Sequence, residues 1–151
     1  MDDVIKMNFF QAMKKNDCSL LLRIPGIENK IHTEQDERGF YPIHVACESN
    51  DTNMLMLFIL LGANINSIEP LFHYTPLHIA CLYQNENAVR ILTQYGADRM
   101  VRDYFLQTPL EVYNELFIQS PSDVSEIDLF ENPLFSDKRV KNPSIIRYLT
   151  Q

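Results

Sequence analysis

The sequence predicts an all-α solenoid of stacked helix pairs, on three observations. Tyr41-Pro42-Ile43-His44 is echoed by Thr75-Pro76-Leu77-His78 and again by Thr108-Pro109-Leu110-Glu111, at offsets of 34 and 33 residues. Gly62-Ala63 recurs as Gly96-Ala97, and Ala46-Cys47 as Ala80-Cys81, both 34 residues on. Apolar residues in the segments between follow a helical rather than an alternating period. Self-similarity at such a period marks repeats whose units bury their apolar faces only against neighbours.

One unit can be justified residue by residue. Thr75 is a good N-cap, because its hydroxyl accepts from a free amide of the first turn. Pro76 follows at the first helical position, where a missing N–H costs nothing and the fixed φ helps. Ala80 and Cys81 are small and let a neighbouring helix approach closely. Gln84-Asn85 makes a polar turn. Ala88, Val89, Ile91 and Leu92 then recur at helical spacing. Gly96 suits the left-handed residue that ends the second helix, and Ala97 to Gln107 returns the chain to the next Thr-Pro.

These residues carry a resemblance. Asp36-x-x-Gly39-x-Tyr41-Pro42-Ile43-His44-x-Ala46-Cys47, followed by Leu61-Gly62-Ala63-Asn64-Ile65-Asn66, resembles an ankyrin repeat. Thr75-Pro76-Leu77-His78-Ile79-Ala80 through Tyr95-Gly96-Ala97-Asp98 resembles the next. Phe9 to Ile24 is similar to an N-terminal capping repeat, and Thr108 to Phe117 to the first helix of a fourth. The second helix of that fourth repeat is expected late, at Pro143-Ser144-Ile145-Ile146-Arg147-Tyr148-Leu149. The resemblance implies one ankyrin-repeat domain over 1–151: a cap over about 1–35, repeats over 36–69 and 70–102, and an irregular last repeat over 103–151 with an inserted loop at 118–141.

Three departures stand out. Tyr41 replaces the capping Thr, at an expected cost of about 1 kcal/mol. Before the third repeat the usual Asp and Gly are missing and Glu69-Pro70-Leu71-Phe72-His73 stands instead, one residue longer, so a reshaped tip is expected. The inserted loop carries Leu129-Phe130 and Leu134-Phe135 among acidic and then basic residues; it reads as a cap over the end of the stack or as a linear motif offered to a partner.

Composition narrows the function. The 151 residues include 13 Lys plus Arg against 20 Asp plus Glu, a net charge of -7, so a basic nucleic-acid-binding face is not expected. No apolar run approaches the ~20 residues of a membrane helix. The acidic start Met1-Asp2-Asp3 is unlike a secretory signal, and three cysteines form no disulfide framework, so a cytoplasmic or nuclear protein is expected, or one in a host cytosol if it is a pathogen effector or viral mimic. No catalytic residue and no cofactor is expected: the chain has no Gly-rich phosphate loop, no Gly-x-Ser-x-Gly and no His-Glu-x-x-His. Glu111 and Glu115, one turn apart, read as a solvated helix face.

His44 with Cys47 and His78 with Cys81 form two His-x-x-Cys pairs of types that suit tetrahedral zinc, which leaves a small metal- or thiol-dependent module as an alternative. Against it, equivalent residues of stacked helices lie roughly 10 Å apart, far beyond a shared coordination sphere. The resemblance instead assigns the histidines to the turn backbone and the cysteines to the core.

The expected function is therefore non-catalytic recognition of another protein, as adaptor, inhibitor or assembly factor, by a monomer or weak homodimer. The resemblance places the contact residues on a concave face made of hairpin tips and inner helices. Carried over by position they are Arg38 and Phe40, then Phe72, Tyr74, Leu82 and Tyr83, then Tyr104, Phe105 and Gln107, with Glu37, Glu48, Ser49 and Leu71 beside them. Aromatic residues dominate this set, and such residues make binding hot spots; the centre is expected at Phe40, Tyr74, Tyr83 and Tyr104. A second patch is expected at Met56 and Leu60, adjacent on one helix face where the family usually places charges.

Overall fold

A computed structural model describes residues 9–49, 52–116 and 141–151. The loop expected at 118–141, with Leu129-Phe130 and Leu134-Phe135, lies outside the described residues except for Lys141.

The described residues are helical or irregular, with no strand. Residues 9–14 (α1) are followed by α2 (Cys18–Leu22), α3 (Ile27–Thr33), α4 (Pro42–Glu48), α5 (Thr52–Leu60), α6 (Pro76–Leu82), α7 (Glu86–Gln94), α8 (Pro109–Glu115) and α9 (Pro143–Thr150). Within a repeat the helices pair, α4 on α5 and α6 on α7; between repeats the inner helices stack α4, α6, α8, and the outer ones α5, α7, α9. This is an all-α ankyrin solenoid, and α9 closes it by packing on both α7 and α8.

Local chemistry starts each inner helix at a proline. Thr75 accepts from the His78 amide and Thr108 from the Glu111 amide, and in both the side chain of the third helical residue reaches back to the cap amide. Tyr41 makes no such bond, so α4 begins uncapped by a side chain. Outer helix α7 is capped by buried Asn85, whose Oδ1 accepts from the Ala88 amide. The Asn85 amide nitrogen also donates to the carbonyls of Cys47 and Ser49, tying the third repeat to the second.

The core runs the length of the stack. Phe9, Leu21, Ile31, Ile43, Leu55, Phe58, Leu77, Ile79, Leu92, Tyr113 and Ile145 are almost fully buried. Helix α3 was not read in the sequence. It stands where a hairpin would be, starts at Gly26 in the left-handed region (φ 70°), and inserts Ile27 and Ile31 beside α4. One pair of apolar residues four apart is too short a pattern to announce a helix.

Candidate functional site

Each hairpin tip is folded around one carboxylate. In the second repeat Asp36 Oδ1 accepts from the amides of Arg38 and Phe40, both at 2.9 Å. In the fourth, Asp103 Oδ1 accepts from Phe105 at 2.8 Å and Gln107 at 2.9 Å. In the third, Glu69 does this work with one more methylene and one more residue to span: Oε2 accepts from Leu71 at 2.7 Å, and Oε1 from Phe72 at 2.6 Å and Tyr74 at 3.0 Å. The last turn of each tip needs a left-handed residue, supplied by Gly39 (φ 82°), His73 (φ 58°) and Leu106 (φ 63°).

The tips are fixed to the helices behind them by histidine. The His44 ring donates from Nε2 to the Tyr74 carbonyl at 2.9 Å, and His78 from Nε2 to Gln107 at 3.0 Å. Tyr74 and Gln107 are the closing residues of the third and fourth tips, so α4 and α6 each carry the tip of the next repeat. His78 Nδ1 accepts from the Thr75 amide at 3.2 Å, which sets its tautomer. His44 Nδ1 has no hydrogen-bond partner, because Tyr41 offers no hydroxyl at the cap.

The third and fourth tips are joined and aromatic. The Tyr104 amide donates to the Phe72 carbonyl at 2.8 Å. Phe72 stacks on Tyr74 at 5.5 Å between ring centroids and on Phe105 at 6.5 Å; Tyr104 stands edge-on to Phe105 at 5.5 Å and to His73 at 6.1 Å. These rings are not core: Phe72 is 44% exposed, Phe105 58% and Tyr104 65%. Leu71 and Leu106 are exposed on the same tips. Tyr74 is half-buried, and burial, then Asp103, Glu69 and Glu115, push its hydroxyl pKa up.

The remaining expected contact residues divide. Arg38 is exposed but held, its guanidinium on Asp36 and Glu48. Phe40 requires a correction: it is buried, beneath the Arg38 guanidinium at 4.5 Å and against the His44 ring, so it cannot be the centre of a contact face. The hydrophobic closing residue of that tip faces the stack, whereas Phe72 sits two positions before the third tip closes and faces out. Tyr83 is exposed at the end of α6; burial and the Glu48 carboxylate raise its hydroxyl pKa, against an opposing effect of Arg38. Leu82 and Gln107 are half-buried. In the second patch Leu60 is exposed, while Met56 is half-buried against the core.

Sequence reasoning missed Leu106, which lies on the aromatic tip. Its signal was available: it stands three residues after Asp103, as Gly39 does after Asp36. The zinc alternative finds no donor set. Among the described residues no group of three or more His, Cys, Asp or Glu side chains is placed to hold a metal. Cys47 and Cys81 are fully buried, which pushes both thiols well above their ordinary pKa, and the nitrogens of His78 are already bonded to Thr75 and Gln107. Among the described residues no helix is long and apolar enough to cross a membrane.

Helix pairs stacked in register, with projecting tips tied to the helices by histidine, define a repeat scaffold that presents a surface. The family model described as ankyrin repeats (three copies) matches residues 9–103, and the chain belongs to that family. No curated protein sequence matches the chain significantly. Ankyrin repeats are protein–protein interaction modules, typically without catalysis.

Proposed function

We propose that this protein is a non-catalytic binding protein that grips a partner polypeptide on its concave face, centred on Phe72, Tyr74, Tyr104 and Phe105. The observation that carries this reading is a set of mutually stacked rings left in water on two joined tips. Exposed rings add nothing to folding, whereas in an interface they contribute large rigid contact area at low entropic cost. The tips are braced by Glu69, Asp103 and the two histidines, so little order has to be gained on binding. Adaptor, inhibitor and assembly factor are all roles for such a surface, and the buried Cys47 and Cys81 thiols suit the cytoplasm or nucleus.

The test is affinity capture from native lysate with the wild-type chain and with Tyr74→Ala/Tyr104→Ala. The backbone bonds of both residues survive alanine, so the melt should hardly change while partner capture is lost. Capture that is undiminished by the double substitution contradicts the reading.

A further inference from the structure

Gly39, His73 and Leu106 supply the left-handed residue of the three tips, at φ 82°, 58° and 63°. Glycine has no Cβ to clash in that region, and histidine enters it more readily than most residues. Leucine has neither advantage, so its backbone is strained there. The strain is held in place from both sides. The Leu106 amide donates to the Asp103 carbonyl at 3.0 Å, and its own carbonyl accepts from the Arg102 guanidinium. Asp103 Oδ1 fixes the amides of Phe105 and Gln107 to either side. A residue stays in such a conformation only where its surroundings over-determine it.

Folding gains little from the side chain in return, because Leu106 is 71% exposed. Single exposed leucines are ordinary on protein surfaces. Here exposure coincides with a backbone that disfavours leucine, and glycine would relieve both. The residue is also part of an uncharged surface in an acidic chain: residues 71–74 and 104–107 include no Asp, Glu, Lys or Arg. The backbone donors of the fourth tip are already used. The amides of residues 104–107 all donate within the protein, so an extended peptide finds no row of N–H groups there to pair with. What this tip offers a partner is side chains.

We infer that Leu106 is an anchor of the binding face, held in its strained turn so that its side chain enters an aliphatic pocket on the partner protein. This rests on the proposed concave face and names a further contact residue and the chemistry it meets. A leucine has no polar atom, so its complement is an apolar pocket of matching size, and recognition here works by burial rather than by charge. The exposed Tyr104 and Phe105 rings precede it in the same tip and form the surround that excludes water from such an anchor.

The test uses the full chain as bait in native lysate and follows the protein that wild type retains and Tyr74→Ala/Tyr104→Ala releases. Leu106→Gly removes the side chain, and Leu106→Asn replaces it with a polar one that accepts the left-handed backbone. Both should lower retention about tenfold or more, while their thermal midpoints equal or exceed that of wild type. Leu106→Met, apolar and of similar volume, should retain the protein within about twofold. Retention by wild type should survive washing in about 0.5 M sodium chloride, which screens charge pairs and leaves apolar burial intact. Undiminished retention by the Gly or Asn variant overturns the inference and leaves the binding face standing. Loss with Met, loss in salt, or lowered midpoints for both Gly and Asn overturns it as well. Absence of any protein retained by wild type overturns it together with the binding face.

Discussion

His78 Nε2 donates to the carbonyl of Gln107 at 3.0 Å, so a fully buried imidazole on the inner helix of the third repeat holds the tip of the fourth in place. His44 does the same for Tyr74 one repeat earlier. The fourth repeat has Glu111 at that position, which returns to the Thr108 amide at 2.7 Å instead of reaching forward. Among the described residues no further tip packs on α8, and a capping carboxylate suits that place.

These histidines set a pH dependence. Burial is the largest effect on each and lowers both pKa values below the ordinary histidine value. The unfolded chain therefore takes up protons first as pH falls. Stability from the neutral rings is fully present above about pH 6.5 and is lost as pH drops through that value toward the folded pKa. The thermal midpoint should be flat above neutrality and decline below it. His78→Ala should cost about 2 kcal/mol at neutral pH, by stranding the Gln107 carbonyl, and should flatten part of that decline. Melts followed by circular dichroism across pH check both.

Tyr41→Thr should stabilise the protein by about 1 kcal/mol, a rise of about 2–4 °C in midpoint. The hydroxyl would cap α4 and give His44 Nδ1 the partner it lacks. The substitution gives up the contact of the Tyr41 and His44 rings at 5.9 Å, so a fall in midpoint would mean that this contact outweighs the cap.

Leu106→Gly should be neutral or stabilising by up to about 1 kcal/mol, because leucine is strained at φ 63°. Gly39→Ala should do the opposite: the backbone is left-handed there, and a Cβ would meet Pro70 Cγ at 3.2 Å. A loss of about 1–2 kcal/mol is expected. Denaturant melts of the two variants should move in opposite directions.

Glu69→Asp should destabilise the third tip by about 2 kcal/mol, although the carboxylate is conserved. One methylene fewer cannot reach the Leu71, Phe72 and Tyr74 amides across a tip one residue longer than its neighbours. Faster hydrogen exchange at those three amides would report it; unchanged protection would contradict it.

Much of this architecture is legible in the chain, for a physical reason. Thr-Pro at a helix start and Gly at a helix end act locally, so the Thr75 and Thr108 caps and the end of α7 follow from neighbours in sequence. What depends on the stack is harder to read. Phe40 and Phe72 are both tip phenylalanines, and only the register of the tip buries one and exposes the other. The work of Glu69 was hidden because a longer side chain and an extra residue change together.

The central claim is that the third and fourth tips hold the partner. Hydrogen exchange of the captured complex tests it most directly, compared with the free chain. The account predicts protection at residues 71–74 and 104–107, with the exposed side of α5 around Met56 and Leu60 unchanged. Protection confined to α5, with both tips exchanging as in the free chain, would contradict it.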